Sequence, residues 1–407
     1  MLAHVREVVV KLKRAERMSR LGTETAFEVL AEVNRLVRQG RDIVSFCIGE
    51  PDFDTPANVK SAGIKAIENN YTHYGPSAGL DVLRETIADY MTKTRGVAYS
   101  PDEIVVTPGA KPIIFHGILA TVDPGDEVLY PNPGFPIYES VINFVGAHPV
   151  PIPLLEEKDF SLDVDDLRRR IGPRTKMIII NSPQNPTGGM LSKQDLEAVA
   201  EMAIEHDLWV MSDEVYSRIV YDGEFHSIAS IPGMKERTIV IDGFSKTYAM
   251  TGWRMGWGAM NEAIARDVAR LETNCESCTA TFTQMAGVEA LTGPQDATAS
   301  MVGEFAARRD MIVRGLNAIE GVTCVRPKGA FYVFPNVTAA CKRLSMRSAR
   351  ELQEYLLNSA GVAVLPRTSF GKKNEGEDQE YIRLSYATSR ENIAEGLSRM
   401  KAALEKS

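Results

Sequence analysis

Between about residues 100 and 260 the chain alternates short apolar runs, turns rich in Gly, Pro and Asn, and stretches with helical spacing. The runs are Ile104-Val105-Val106, Val128-Leu129-Tyr130, His148-Pro149-Val150-Pro151-Ile152, Met177-Ile178-Ile179-Ile180, Leu208-Trp209-Val210-Met211, Thr238-Ile239-Val240-Ile241 and Met255-Gly256-Trp257-Gly258-Ala259. This alternation predicts an α/β domain around a mostly parallel seven-stranded sheet. Prolines interrupt the third run, which suits an edge. Upstream, apolar spacing at Phe27, Leu30, Val33, Leu36 and Val37 predicts a helix over 25–40 closed by Gly40, then a short strand after Asp42. Residues 83–90 also read as helical.

Downstream, the spacing predicts helices over 261–272, 284–291, 297–319 and 349–359, with short apolar runs at 322–325, 329–334, 362–365 and 381–386. Residues 372–380 read as a polar loop. These elements suggest a smaller α/β domain that also takes in the N-terminal segment. The predicted division is 1–57 as an arm and part of the small domain, 58–292 as the large domain and 293–407 as the small C-terminal domain.

A length of 407 residues, 44% hydrophobic and 25% charged, is ordinary for a globular protein of two domains. The formal charge of −8 argues against a general nucleic-acid binder, which needs a basic face. Residues 2–20 form a short basic segment, with Arg6, Lys11, Lys13, Arg14, Arg17 and Arg20, suited to an arm or a surface helix. No apolar run approaches a membrane span and the start lacks a secretory pattern, so a cytoplasmic location is expected. Five cysteines fit free thiols. Cys275 and Cys278 form a CxxC, but with no second pair and no histidine at ligand spacing, no metal site is expected.

The most informative stretch runs Gly243-Phe244-Ser245-Lys246-Thr247-Tyr248-Ala249-Met250-Thr251-Gly252-Trp253-Arg254-Met255-Gly256, with two cations and no carboxylate. Burial of Lys246 among Phe244, Tyr248 and Trp253 would lower its pKa and supply a neutral amine able to attack an aldehyde. Arg254 keeps its charge and offers a planar fork to phosphate oxygens. An aldehyde carrying a phosphate satisfies both. Taken singly, each reads first as a side chain snorkelling out of an apolar segment, and only the combination favours the chemistry.

All fourteen positions resemble the lysine-bearing signature of the class I/II aminotransferases, pyridoxal 5′-phosphate (PLP) enzymes of fold type I. The resemblance implies that Lys246 is the catalytic lysine linked to the cofactor, with Ser245 beside it and Arg254 on the cofactor phosphate. Gly109, Ala110 and Lys111, opening a helix after the first run, supply amides to the same anion. Further implied cofactor contacts are Phe135 stacking on the ring, Asn185 in the Asn-Pro-Thr-Gly motif and Tyr216 on the ring oxygen, and Asp213 on the pyridine nitrogen. The resemblance also implies that Tyr74 reaches the phosphate of a neighbouring subunit, which would make the functional unit a homodimer. By the same resemblance, Gly49, Asn185 and Arg383 are expected to meet the substrate, Arg383 as a bidentate clamp for its α-carboxylate. Read from the residues alone, Gly49 is a turn glycine, Phe135 core, Asp213 a helix cap and Arg383 an edge-strand charge.

The implied reaction moves an amino group between an α-amino acid and a 2-oxo acid with ping-pong kinetics, Lys246 carrying the proton. Alternatives on this scaffold are a β-lyase or synthase, or a PLP-binding regulator without turnover. The regulator is disfavoured by the acidic balance and by the few residues before Ile43. Glu24 is expected near the substrate side chain, where it would discourage acidic substrates. No nucleic acid and no membrane are expected among the partners.

Overall fold

All seven apolar runs form strands of one sheet in the computed structural model, which describes residues 13–405. In chain order the strands are β1 (Val44–Ser45), β2 (Ile104–Thr107), β3 (Glu127–Asn132), β4 (His148–Leu155), β5 (Ser161–Leu162), β6 (Thr175–Asn181), β7 (Trp209–Asp213), β8 (Thr238–Gly243), β9 (Gly256–Ala259), β10 (Tyr332–Val333), β11 (Val362–Ala363), β12 (Leu365–Pro366) and β13 (Ile382–Ser385). The large sheet runs β2-β9-β8-β7-β6-β3-β4-β5. Eight strands stand where seven were expected, because the chain returns after β4 to add the two-residue β5 antiparallel to it. β9 is antiparallel to both neighbours, so β2, β3, β4, β6, β7 and β8 all point the same way.

The prolines of β4 have a positional logic. His148 donates its N–H toward β3, to Asp126 O at 2.7 Å. Pro149, Pro151 and Pro153 therefore share the opposite side, where their missing donors cost the β3 ladder nothing. Only β5 lies beyond them.

Both faces of the sheet are covered, which is why its strands read as continuous apolar runs. Ile104, Val106 and Val240 face one core with Leu83, Ile87 and Trp257, whereas Val105, Ile239 and Ile241 face another with Ile113 and Ile118. Ile178, Ile180 and Val210 face a third with Val199 and Leu196.

The C-terminal part packs around the long helix Asp296–Asn317, burying Phe305, Ile312 and Leu316 with Phe331, Leu384, Ile393 and Leu404. Val44 and Phe46 join the same core, and β1 pairs in parallel with β11. The helix expected over 25–40 spans Thr25–Arg38, with Gly40 at a φ of 84° behind it. Residues 322–325 are not a strand: Val322 and Cys324 are buried as packing, and the backbone makes one isolated bridge, Thr323 to Asn336. The run at 362–365 divides, β11 pairing with β1 and β12 with β13. Arg6 and Lys11 of the basic segment lie outside the described residues. Glu16–Ser19 form an exposed 3₁₀ turn, and Arg20 donates to Asn143 O at 3.0 Å.

Candidate active site

Thr107, Asn132, Asn181, Asp213 and Gly243 end five parallel strands at one edge of the sheet, where ligands of open α/β sheets gather. A cavity of about 640 Å³ opens beyond it. Ala110, Lys111, Phe135, Asn185, Asp213, Tyr216, Ser245, Lys246 and Arg254 line it from the sheet side. Glu24 and Gly49 enter from the first fifty residues, Arg383 from β13. Gly109 lies just behind this wall. Tyr74 does not reach the cavity of its own chain and is 89% exposed.

Lys246 sits in the short helix Phe244–Thr247 that follows β8. Phe244 and Tyr248, one turn apart, pack together in the core on the other side, their ring centroids 5.9 Å apart. Trp253 covers Gly63, where a Cβ would come within 2.7 Å of its ring, and donates to Thr55 Oγ1 at 3.1 Å. The expectation that these three rings bury the lysine is thus corrected, since helical spacing turns Lys246 away from them. Its Nζ instead donates to Gly49 O and lies 5.8 Å from the Phe331 centroid. Burial pulls its pKa down to about 8; Glu50 opposes that shift, and Arg383, Lys111 and Arg254 add to it.

Asp213 closes β7 with its carboxylate buried. Oδ2 accepts from the Tyr138 hydroxyl at 2.6 Å and Oδ1 from Val215 N at 3.4 Å. Burial nevertheless pushes the group up to about 6. Asn181 ties the neighbouring turn together, donating to Asp213 O at 3.0 Å and accepting from Asn185 N at 2.9 Å.

Arg383 donates to Asn185 Oδ1 at 3.0 Å and to Cys47 O at 2.5 Å, with its guanidinium between the rings of Tyr332 and Phe370. Its buried Nε has no partner among the described residues. The Asn185 amide NH₂ has no acceptor there either and is available to the cavity. The Tyr216 and Tyr332 hydroxyls are 2.7 Å apart. Gly49 proves to be more than a turn residue: a Cβ there would stand 2.3 Å from the Tyr332 hydroxyl.

Arg254 donates to the Thr251 carbonyl at 2.9 Å and to the Pro108 carbonyl at 3.4 Å, and no described carboxylate pairs with it. Gly109, at a φ of 95°, is where the loop passes under that guanidinium, since a Cβ would meet Nη2 at 2.7 Å. Ala110 then opens the helix Lys111–Thr121, whose free amides carry the positive end of its dipole. Gly256, between Thr107 and Gly243 in the sheet, allows this approach: a Cβ there would be 2.5 Å from Ala110 N. Lys111 forms an ion pair with Glu24 and lies 5.2 Å from the Phe135 centroid.

Sequence reasoning missed Asn181, Tyr138 and Tyr332 as site residues. Asn181 and Tyr138 stand four and three residues from Asn185 and Phe135, close enough in sequence to have been considered with them. Nothing local marks Tyr332, which reaches the cavity from another part of the chain.

The family described as aminotransferase class I and II matches residues 41–400. The chain is 41% identical to a probable aspartate/prephenate aminotransferase of Aquifex aeolicus, over 96% of this chain and 98% of that one. It is 43% identical to an aspartate aminotransferase of Pyrococcus abyssi, over 89% and 92%. The structure of an aspartate aminotransferase from Thermus thermophilus with maleate superposes with a TM-score of 0.90 at 36% identity, covering 97% of this chain and all of that one. The chain belongs to the class I and II aminotransferases, a family of PLP-dependent enzymes, and is a transaminase acting between amino acids and 2-oxo acids.

Proposed function

We propose that the cavity holds PLP with Lys246 as its covalent anchor. The observation that carries this is the meeting, at one cavity, of a lysine tuned toward its neutral form, a buried carboxylate raised to about 6, and a guanidinium without a carboxylate. Each lacks what the cofactor offers: an aldehyde for Lys246, a ring N–H⁺ for Asp213 and a phosphate for Arg254 and the amides after Gly109. When bound, PLP would supply an aldehyde that takes up an amino group and an electron-withdrawing ring that stabilises negative charge at the substrate Cα.

Asp213, held by Tyr138, keeps the ring nitrogen protonated. Asn185 and Tyr216 donate to the ring oxygen, Ser245 supports the phosphate, and Phe135 covers one ring face. Arg383 holds the substrate α-carboxylate and fixes its Cα within reach of Lys246, which moves the proton. Gly49 gives its carbonyl to Lys246 and leaves the substrate room.

The substrates are α-amino acids and 2-oxo acids. The paired Glu24 carboxylate presents less negative charge to a side chain than an unpaired one, so dicarboxylic substrates are compatible with the cavity. Exposed Tyr74 is assigned to the phosphate of a second copy in a homodimer. The large cofactor-binding domain is assigned to 58–292, and the small domain to 293–407 with the N-terminal segment. We assign the enzyme to the cytoplasm; no described helix is long and apolar enough to cross a membrane.

The test is absorption spectroscopy of the PLP-loaded protein with a panel of amino donors, followed by oxo-acid acceptors. The parent shows a visible cofactor band that disappears with the donor and returns with the acceptor; Lys246→Ala lacks both changes. An unaltered spectrum in Lys246→Ala would overturn the assignment.

A further inference from the structure

The helix Lys111–Thr121 carries the buried His116 against a second helix, Glu262–Cys275. Glu272, Cys275 and Glu276 stand at i, i+3 and i+4 at the end of the second helix, so they share one face, and that face meets His116. The imidazole is only 2% exposed. Its Nδ1 is 3.9 Å from Glu272 Oε2 and its Nε2 is 4.0 Å from Glu276 Oε2, both beyond hydrogen-bond length. Among the described residues, His116 Nδ1 has no hydrogen-bond partner, and neither oxygen of the fully buried Glu272 receives a donor. Buried polar atoms left this way are costly unless something else serves them.

Ligand atoms of His116, Cys275 and Glu276 all lie within 4.8 Å of one another. Bonds of ~2.0–2.3 Å to one ion need only a modest contraction of that triangle. We propose that His116 Nε2, Cys275 Sγ and the Glu276 carboxylate bind a divalent transition-metal ion of the zinc class, with Glu272 behind them accepting from His116 Nδ1. Imidazole, thiolate and carboxylate together select such an ion, whereas calcium and magnesium favour all-oxygen sites. A ligating histidine usually gives its other N–H to a carboxylate, which accounts for both the orphaned Nδ1 and the orphaned Glu272. Cys275 and Glu276 are exposed, so solvent completes the coordination. Cys278 takes no part; its Sγ accepts from Gly75 N at 3.4 Å. The CxxC spacing pointed away from a metal because the histidine arrives from a separate helix. An ion here would staple the helix that bears Lys111 to the helix beyond β9.

The test titrates the full-length, PLP-loaded protein with zinc chloride by calorimetry and with cobalt chloride by visible absorption. The expected result is one ion per chain, ligand-field bands of thiolate-bound cobalt, and a zinc-dependent rise in Tm. Cys275→Ser and Glu276→Gln, both at exposed positions, each weaken binding at least about tenfold and remove the Tm shift. Cys278→Ser binds as the parent does, and His116→Gln does not bind. No uptake at ~1 mM zinc, a concentration that saturates any site of useful affinity, would overturn the proposal. So would uptake that either exposed variant leaves intact.

Discussion

The Tyr138 hydroxyl donates to Asp213 Oδ2 at 2.6 Å, with both groups fully enclosed. Burial and the adjacent carboxylate hold the tyrosine well above its usual pKa, so it remains a donor throughout the working range. Tyr138→Phe leaves a buried carboxylate short of a partner. The expected loss is ~1–3 kcal/mol of stability at pH 8, measured by urea denaturation of the cofactor-free protein, and a smaller loss at pH 5, where Asp213 is protonated.

Asp213→Asn should separate stability from cofactor binding. The folded-state pKa of Asp213 is raised to about 6, so the native protein holds a proton that the unfolded chain releases near 3.8. Stability from this group is therefore full below that window and lost as pH rises through about 6. The asparagine variant escapes the loss, and without cofactor it should be more stable than the parent at pH 8 by up to roughly 3 kcal/mol. Its affinity for PLP should fall at the same pH. Urea midpoints at pH 4 and pH 8, beside a PLP titration, check both signs.

Attachment of PLP to the cofactor-free enzyme should accelerate with pH and level off above about 8, the pKa to which burial lowers Lys246. At pH 7 about a tenth of the amine is neutral, against less than a thousandth for an ordinary lysine. Stopped-flow absorption after mixing with PLP measures the profile. A rate still climbing steeply at pH 10 would mean an untuned lysine.

Glu24→Gln releases Lys111 from its ion pair at the cavity wall. The added positive charge should lower KM for aspartate about three- to tenfold relative to an uncharged donor, with kcat little changed. Steady-state kinetics with the two donors, at low and high salt, checks this, and equal KM ratios in parent and variant would remove Glu24 from substrate selection.

Most residues that reach the site from strand ends were readable because each apolar run hands directly to a local motif: Asn185 after β6, Asp213 and Tyr216 at and after the end of β7, Lys246 after β8. What sequence could not show was contact through space. Phe331, rather than the local Phe244, Tyr248 and Trp253, lies over Lys246, because a four-residue helix turns the lysine away from its neighbours in the chain. The apolar run at 322–325 forms no strand, because burial in a core produces such runs with or without one. β5 escaped notice because two residues carry no periodicity.

The alternate prolines of β4 also bear on how this chain can associate. A second molecule finds little to pair with along β4, since Pro149, Pro151 and Pro153 offer it no amide hydrogens and only the two-residue β5 lies beyond. Accidental growth into fibrils by strand addition is thereby discouraged at that rim.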